Sequence, residues 1–467
     1  MSQQLTPILM PYIHSMYKLQ SSQEERQASS STTATRSLRP VHVPGSGRVH
    51  IGHAAPVGRT YCMPCSASHT PARCTLRGLQ VCNYMEAEPF GPNTCKLQSR
   101  TMDLPPPVGL CLHMCPEKER RERESQERLH QFELRKGQQT GRNRRGKGHH
   151  IADPARTVKE YSRPAAGKEL SFPEDLRPPA VLLKTVQYLL NEVWDNINDR
   201  DSACVAEAYS FVFDRLRAVR QDLIVQRVRG LEGALVLEGS LGFLLCVPYL
   251  VRNLPLADYD EVLHTTQVRE SFAELMECYK GCGRFPRQAE FQALLLLYDL
   301  GNLDAMTRTL QLPRSVRYAP QVCLALAINR AHLENNWVRL FRMVRRCDCL
   351  QTCAFYRHLP SSRYKAICTL TYAYSSRNCR YPLDLLTRLI AVDSPSLASD
   401  MCKRQGLILI SGEQPSILFL KNSFKDLGPE CPGREIHLVE LKKGDVSWVQ
   451  VMSGQECMDY MTLHGRK

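Results

Sequence analysis

The stretch EFQALLLLYDLG, residues 290–301, decides the fold class because it is apolar on almost every side. A surface helix shows one apolar stripe, whereas a helix that is apolar all round belongs in the interior of a helical protein. Gly301 is the residue type that commonly ends such a helix. We therefore expect a buried helix here, in the middle of a stack of helices.

The segments that precede this stretch have the period of amphipathic helices. Apolar residues recur at helical spacing in 181–194 and again in 211–225. Successive helices with short connections and without strand patterns are typical of an α-solenoid-like array. The sequence therefore predicts a mainly α protein whose helical array covers residues 171–380.

The pattern changes near residue 380. Residues 381–392 and 394–406 have the composition of two short helices, and LILISGEQPSILFL, 407–420, is typical of a β-hairpin with a polar turn. Two helices followed by a hairpin predict a winged helix, which we assign to residues 381–425 as the cap of the array. In the C-terminal tail, residues 426–467, the sequence KKGD favours a second hairpin.

The first hundred residues are rich in Ser, Thr, Pro, Gly and Gln and have no helical or strand period. Such a segment cannot bury enough apolar surface to offset the entropy of ordering it. We therefore expect residues 1–104 to be a disordered arm or an extension outside the native domain. Residues 105–170 then contain a helix that begins at Pro116 and a basic, glycine-rich linker.

The composition limits the class of protein and of partner. The net charge of +14 and the pI near 9.0 favour an acidic partner such as nucleic acid. The 20 cysteines form no secreted framework and no signal peptide precedes them, so we expect reduced thiols in the cytosol or nucleus. The longest apolar stretch, 241–251, is interrupted by Pro248 and is shorter than the ~20 residues that span a bilayer. We expect a soluble protein without membrane contact.

The sequence contains an incomplete nucleotide-binding motif and incomplete metal-binding motifs. GRNRRGKG, 141–148, nearly matches a phosphate-binding P-loop, but Gly148 stands where the motif needs a hydroxyl for magnesium. Cys111, His113 and Cys115 could bind zinc, yet no second ligand pair accompanies them, and the CMPC pattern at 62–65 lies in the N-terminal arm. No catalytic motif is present either. We expect no metal, no cofactor and no enzymatic activity.

The segment NNWVRLFRMVRR, 335–346, has an apolar face with arginines on the opposite face. Guanidinium groups suit phosphate oxygens, so this ridge would bind nucleic acid without sequence preference. The alternative is an ordinary solvated face. The candidate phosphate-binding residues are Arg339, Arg342, Arg346, Arg357, Arg363 and Lys365.

Several stretches, taken in order along the chain, resemble the Sac/GANP family of mRNA-export scaffolds. The resemblance covers roughly residues 109–425. The stretches are GLCLHMCPEKER (109–120), VKEYSRPAAG (158–167), LRPPAVLLKTVQYLL (176–190), FVFDRLRAVRQDL (211–223), EFQALLLLYDLG (290–301) and YPLDLLTRLI (381–390).

The resemblance implies a structural role for the opening motif, as a clamp and helix start whose thiols are packed. Leu110 and His113 depart from the family, which usually has Thr and Asp at these positions. The residues that the resemblance marks as family motif or structural residues are Cys111, Met114, Cys115, Pro116, Glu119, Arg120, Tyr161, Ser162, Arg163, Asp214, Arg215, Arg217 and Arg220.

The resemblance also implies what the chain does. The family combines a PCI-type helical array with a winged helix, pairs with a second PCI-domain protein and a small acidic DSS-type subunit, and binds RNA or DNA at the nuclear pore. The chain is most similar to the family's short SAC-domain-containing form, which is associated with centrosome duplication, spindle assembly and mitotic progression. The first expectation is therefore a centrosomal and spindle scaffold, and the alternative is a nucleic-acid-binding scaffold of mRNA export.

Overall fold

The computed structural model describes residues 105–135, 141–142, 148–163, 172–197, 202–255, 257–281, 283–431 and 433–454. All of them fall within the second of the chain's two compact units, Phe90–Lys467. The predicted disordered arm, with its CMPC cysteines, lies outside the described residues, and so does most of the basic linker.

The described part of the chain is mainly helical, which confirms the predicted fold class. Short 3-10 turns occur at Gln131–Glu133, Pro173–Asp175 and Tyr356–His358, and two strands of two residues each, β1 (Gly141–Arg142) and β2 (Gly148–His149), pair antiparallel in the linker. The helices up to the winged helix are α1 (Glu117–Ser125), α2 (Pro179–Tyr188, continued by a π-turn at Leu189–Trp194), α3 (Ser202–Val225), α4 (Gly230–Leu250), α5 (Glu261–Cys278), α6 (Gln288–Tyr298), α7 (Leu303–Gln311), α8 (Arg314–Arg317), α9 (Pro320–Leu333), α10 (Trp337–Val344), α11 (Cys349–Phe355) and α12 (Leu359–Ala373).

Helices α4 and α6 form the centre of the array. Helix α4 packs against α2, α5 and α11, and α6 packs against α9 and α11. Within the described residues, α4 is the helix that is long and apolar enough to span a membrane, but 89% of its apolar window is buried inside the protein. The apolar surface of α4 therefore packs against other helices. Helix α6 is buried in the same way, as the all-round apolar pattern of residues 290–301 predicted.

Helix α4 continues through Pro248, contrary to the expectation that this proline interrupts the apolar stretch. Proline has no N–H, so the carbonyl of Leu244, four residues earlier, lacks its helical partner. The buried His264 of α5 replaces it, with Nε2 2.9 Å from that carbonyl oxygen. Burial lowers the pKa of His264 to about 4, so the ring is neutral and donates this hydrogen bond from Nε2.

The winged helix follows α12. Strand β3 (Arg380–Pro382) leads into α13 (Leu383–Leu389) and α14 (Pro395–Arg404), and the predicted hairpin is present as β4 (Ile408–Ile410) and β5 (Ser416–Leu418). The sheet order is β3-β5-β4, and both pairs are antiparallel. Pro382 is both the last residue of β3 and the N-cap residue of α13, so a helix starts at this proline as the sequence predicts.

The prediction of a second hairpin in the C-terminal tail is wrong for the described residues. The tail forms a π-turn at Ile436–Glu440, then α15 (Leu441–Lys443) and α16 (Trp448–Ser453), which packs on α4. A Cβ at Gly242 of α4 would overlap the carbonyl oxygen of Met452, so only glycine permits this approach. The buried face of the tail is thus specified by α4, a long-range contact that the local turn signal KKGD does not encode.

Candidate functional site

Helix α10 carries the first part of the candidate surface. Asn336 caps its N-terminus, with the side-chain oxygen accepting a hydrogen bond from the Arg339 backbone N–H at 3.0 Å. The opposite faces of this short helix differ as the sequence predicts, because one is buried and the other exposes Val338, Arg339 and Arg342. The buried face consists of Trp337, Leu340, Phe341 and Val344.

The arginines of this segment concentrate positive charge at the surface. Arg339 lies 3.2 Å from Glu334, and its side chain remains 45% exposed. Arg342 and Arg346 are exposed, and within the described residues neither contacts a carboxylate. Burial and the charge of Arg342 together lower the pKa of the neighbouring Arg345. The helix end therefore holds several cations with little acidic compensation.

Two of the other candidate phosphate-binding residues are not free at the surface. Arg363 is buried, with guanidinium nitrogens 2.5 and 2.8 Å from the carboxylate of Glu435 and further hydrogen bonds to the carbonyls of Ile390 and Ala391. It therefore holds the tail against the winged helix, and its assignment to the ridge is corrected. Arg357 is half-buried and lies over the Tyr298 ring at 4.6 Å.

Lys365 is exposed and extends the charged surface onto α12. Lys365, Thr369 and Tyr372 follow one another at spacings of four and three residues, so they share one face of that helix. The indole Nε1 of Trp337 donates a hydrogen bond to Thr369 Oγ1 at 3.0 Å, which joins α10 to this face. This hydrogen bond therefore places the N-terminal end of α10 beside the face of α12 that carries Lys365.

Further basic and aromatic residues adjoin this face, and sequence reasoning did not single them out. Tyr372 is 65% exposed, and the ammonium group of Lys421 lies 5.4 Å from its ring centre. Arg377 and Arg380 are exposed in and after the connection from α12 to β3. The signal was present in YAYSSRNCRY, 372–381, where Tyr372 and Tyr374 are followed closely by Arg377 and Arg380. We call the whole surface the basic strip, formed by Arg339, Arg342, Arg346, Lys365, Tyr372, Arg377, Arg380 and Lys421.

The N-terminal motif lies elsewhere and is structural. Gly109 N–H donates to Gln226 Oε1 at 2.9 Å, and Cys111 N–H donates to the Leu176 carbonyl at 2.9 Å. A Cβ at Gly109 would lie 2.7 Å from Gln226 Oε1 and from the Leu176 oxygen. The motif therefore fits tightly against the chain that leads into α2 and against the C-terminal end of α3.

A buried ion network fixes this motif to α3. Arg123 and Glu133 are both fully buried, with Arg123 Nη1 2.8 and 3.0 Å from the two carboxylate oxygens. Arg123 also lies 3.2 Å from Glu160, and Arg215 of α3 lies 3.4 Å from each of these two carboxylates. Nearby, Asp222 accepts from both Lys159 and Arg177 at 2.7 Å. These ion pairs connect four separate chain segments, so we call this network the N-terminal clamp.

The thiols of the motif are packed inside the clamp. Cys115 Sγ accepts a hydrogen bond from Arg123 at 3.4 Å, and burial raises its pKa to about 12. Burial also raises the pKa of Cys111, whereas His113 is exposed. Among the residues that the structure describes, no three His, Cys, Asp or Glu side chains converge as metal ligands.

The other family-motif residues surround the clamp. Tyr161 lies under the Arg217 guanidinium at 3.8 Å, and its N–H donates to Asp214 at 3.2 Å. Of the remaining members, two are buried and the others are half-buried or exposed. The carbonyls of the buried Met114 and Pro116 accept from the backbone N–H groups of Lys159 and Arg120, respectively. Glu119 accepts from the Glu160 N–H at 2.8 Å, and the Ser162 carbonyl accepts from the Gln221 side chain. Arg220 pairs with Glu270, whereas Arg163 is exposed.

Comparison with known proteins shows which family the sequence matches. The SAC3/GANP family model matches residues 114–411. SAC3 family protein 1 of Schizosaccharomyces pombe is 27% identical over 377 residues, covering 74% of this chain and 35% of that protein. Protein xmas of Drosophila melanogaster is 26% identical and SAC3 family protein B of Arabidopsis thaliana is 25% identical, covering 74% and 72% of this chain but 16% and 20% of those proteins. The chain thus spans about a third or less of these relatives.

Proposed function

The chain belongs to the SAC3/GANP family, and on that premise we propose that it is a non-enzymatic scaffold that binds single-stranded nucleic acid along the basic strip. The observation that supports this proposal is the hydrogen bond between Trp337 of α10 and Thr369 of α12, which brings two positively charged segments next to each other. In the cell, this surface would serve the mRNA-export role that the family resemblance implies.

The chemistry of the basic strip favours single strands. Its arginine and lysine side chains suit the phosphate backbone, which dominates the affinity of sequence-indifferent binding. Exposed tyrosines among such cations, here Tyr372 and Tyr374, offer rings on which unpaired bases stack. By contrast, the exposed charges of α14, which would enter a DNA groove in a winged helix, are paired: Lys403 lies 3.4 Å from Asp400 and Arg404 lies 3.6 Å from Glu430.

Charge reversal of Arg339, Arg342 and Arg346 tests this proposal, and we call this triple change the ridge variant. At about 0.15 M salt, the variant Arg339→Glu/Arg342→Glu/Arg346→Glu is expected to lose its binding to immobilised single-stranded RNA. Each change removes a cation that faces phosphate and adds a carboxylate that repels it. Circular dichroism should show an unchanged helical content because all three side chains are at the surface.

A matched control carries the same change in net charge elsewhere. Arg121, Arg269 and Lys280 have side chains that are 75, 60 and 70% exposed and lie on α1, on α5 and just after α5. Reversing these three charges should leave RNA retention close to that of the wild type. Equal retention by the ridge variant and the wild type would contradict the proposal.

We also propose that the winged helix is where a second PCI-domain protein binds, with the small acidic DSS-type subunit beside it. The winged helix exposes Leu385, Leu397 and Ile408, each more than 40% accessible. Ile408 lies on β4, one of the two edge strands of the sheet, and an edge strand is suited to pairing with a partner strand. The net charge of +14 suits an acidic subunit.

A second candidate function is the scaffold role in centrosome duplication, spindle assembly and mitosis. It needs protein-binding surfaces, and the apolar row of the N-terminal motif supplies one: Val108, Leu110 and Leu112 are 71, 58 and 77% exposed beside Phe172 at 57%. A tagged chain should then remain at centrosomes and spindle poles after RNase treatment. Confinement to the nucleus through the whole cell cycle would contradict this role and favour mRNA export.

A further inference from the structure

A groove of about 270 Å³ opens between α10, α12 and α13, inside the basic strip. It is slightly smaller than the pockets of roughly 300 Å³ and more that take drug-sized ligands. Its floor is apolar, because Trp337, Ala366 and Leu370 are all at most 9% exposed. Its rim is polar and includes Asn335, Asn336 and Thr369. An apolar slot with a polar rim matches a flat heterocycle with hydrogen-bonding edges.

Cations lie on both sides of the groove. Arg339 of α10 pairs with the lining residue Glu334, and Lys365 of α12 lies one turn before the lining residue Thr369. Both cations are exposed. The one carboxylate at the rim, Glu334, is already engaged by Arg330 at 2.7 Å and by Arg339 at 3.2 Å. An occupant that carries an anionic group on either side of an apolar plane would therefore meet complementary charge.

The rim offers hydrogen-bonding groups to such a plane. Asn336 uses its side-chain oxygen to cap α10, so its amide hydrogens remain for a ligand. Asn335 is exposed, and its left-handed backbone, with φ at +52°, turns the chain at the groove mouth. Amide side chains of this type pair with the edges of unpaired bases.

Resting on the proposed nucleic-acid binding, we propose that this groove takes one unstacked base of a single strand while the flanking phosphates contact Arg339 and Lys365. A base in a duplex cannot enter, because its edge is already paired and its faces are stacked. The groove would therefore make the basic strip selective for single strands, whereas charge alone would bind any polyanion.

Probes with and without bases test this inference on the full chain. The probes are fluorescein-labelled (rU)15, (dT)15, and a 15-mer of abasic deoxyribose phosphate that carries the same charge. Because contacts to one base contribute to affinity by about a factor of ten, the wild type should bind both base-containing strands at least tenfold more tightly than the abasic strand, which also lacks bases to stack on Tyr372 and Tyr374. RNA and DNA should behave alike, since the groove contacts the base and not the sugar.

Filling the groove should reduce that difference. Val338→Phe enlarges an exposed side chain that lines the groove and keeps the hydrogen bond between Trp337 and Thr369. It is expected to weaken (rU)15 and (dT)15 binding about tenfold and to leave abasic binding within twofold. Val338→Ile, which stays close to valine in size, should behave as wild type. Asn335→Gly, which suits the positive φ, removes the rim amide and should weaken only the base-containing probes.

The outcomes separate this inference from the proposal on which it depends. If the charge-reversed ridge variant weakens all three probes but Val338→Phe and Asn335→Gly bind (rU)15 as the wild type does, the strip binds nucleic acid and the groove inference is wrong. If the ridge variant binds all probes as the wild type does, the proposed function fails. Equal wild-type affinity for (rU)15 and the abasic strand would overturn the groove inference without any variant.

Discussion

Replacing Glu133 by alanine is expected to lower the free energy of unfolding by roughly 3–5 kcal/mol, because it leaves buried guanidinium charge without its carboxylate. Arg123 is fully buried 2.8 Å from Glu133, and Arg215 lies 3.4 Å from it and is 6% exposed. Glu133 also accepts from the Val158 N–H at 3.0 Å, which would then have no partner. Without Glu133, the whole N-terminal clamp should loosen.

Urea unfolding followed by circular dichroism measures this effect. Glu117→Ala is the matched control, because its carboxylate pairs with Arg121 on the surface of α1, where both side chains are more than half exposed. An exposed pair of this kind contributes only about 0.3–0.5 kcal/mol. If Glu133→Ala is as stable as this control, the clamp is not the structural element described here.

Replacing Arg363 by methionine is expected to cost roughly 3–5 kcal/mol as well, since Glu435 would remain buried without a charge partner. The side chains of Arg363 and Glu435 are 7 and 4% exposed, and Arg363 Nη1 lies 2.5 Å from Glu435 Oε1. The guanidinium also donates hydrogen bonds to the Ile390 and Ala391 carbonyls. The tail from residue 433 onward should detach first, because this pair anchors its start. Hydrogen exchange distinguishes this local detachment from global unfolding.

A double-mutant cycle completes this test. Replacing both partners, Arg363→Met with Glu435→Leu, removes the uncompensated charge and should recover most of the stability. Where Arg363→Met remains folded, its affinity for (rU)15 should equal that of the wild type because the side chain faces the interior. A stable Arg363→Met protein that no longer binds RNA would return Arg363 to the interface.

Residues with a local period were predictable from the sequence. Most of the apolar stretch at 290–301 lies in α6, with buried Phe291 and Leu294, and the two faces of α10 follow the 3.6-residue period. The hairpin of the winged helix was visible because β-prone residues flank a polar turn. In each case the signal and its structural consequence lie within one element.

Long-range pairing was not predictable. Arg123 and Glu133 have an ordinary helical and turn composition, and their burial depends on α3, which begins about seventy residues later. Arg363 was assigned to the surface because nearby arginines are exposed, yet its partner Glu435 is 72 residues away. The tail helices pack on Gly242 of α4, a contact that no turn motif encodes. One sequence shows charge and period, but not which distant segment a charge pairs with.

The most direct test of the central claim, that the basic strip binds phosphates, is the salt dependence of single-stranded RNA affinity. The slope of log affinity against log salt becomes shallower by about 0.7 for each phosphate of a single strand that the protein no longer neutralises. The charge-reversed Arg339/Arg342/Arg346 variant should therefore have a slope shallower than the wild type by about two, while the Arg121/Arg269/Lys280 control keeps the wild-type slope. Equal slopes for the ridge variant and the wild type, or equal reductions in the ridge and control variants, would contradict the claim.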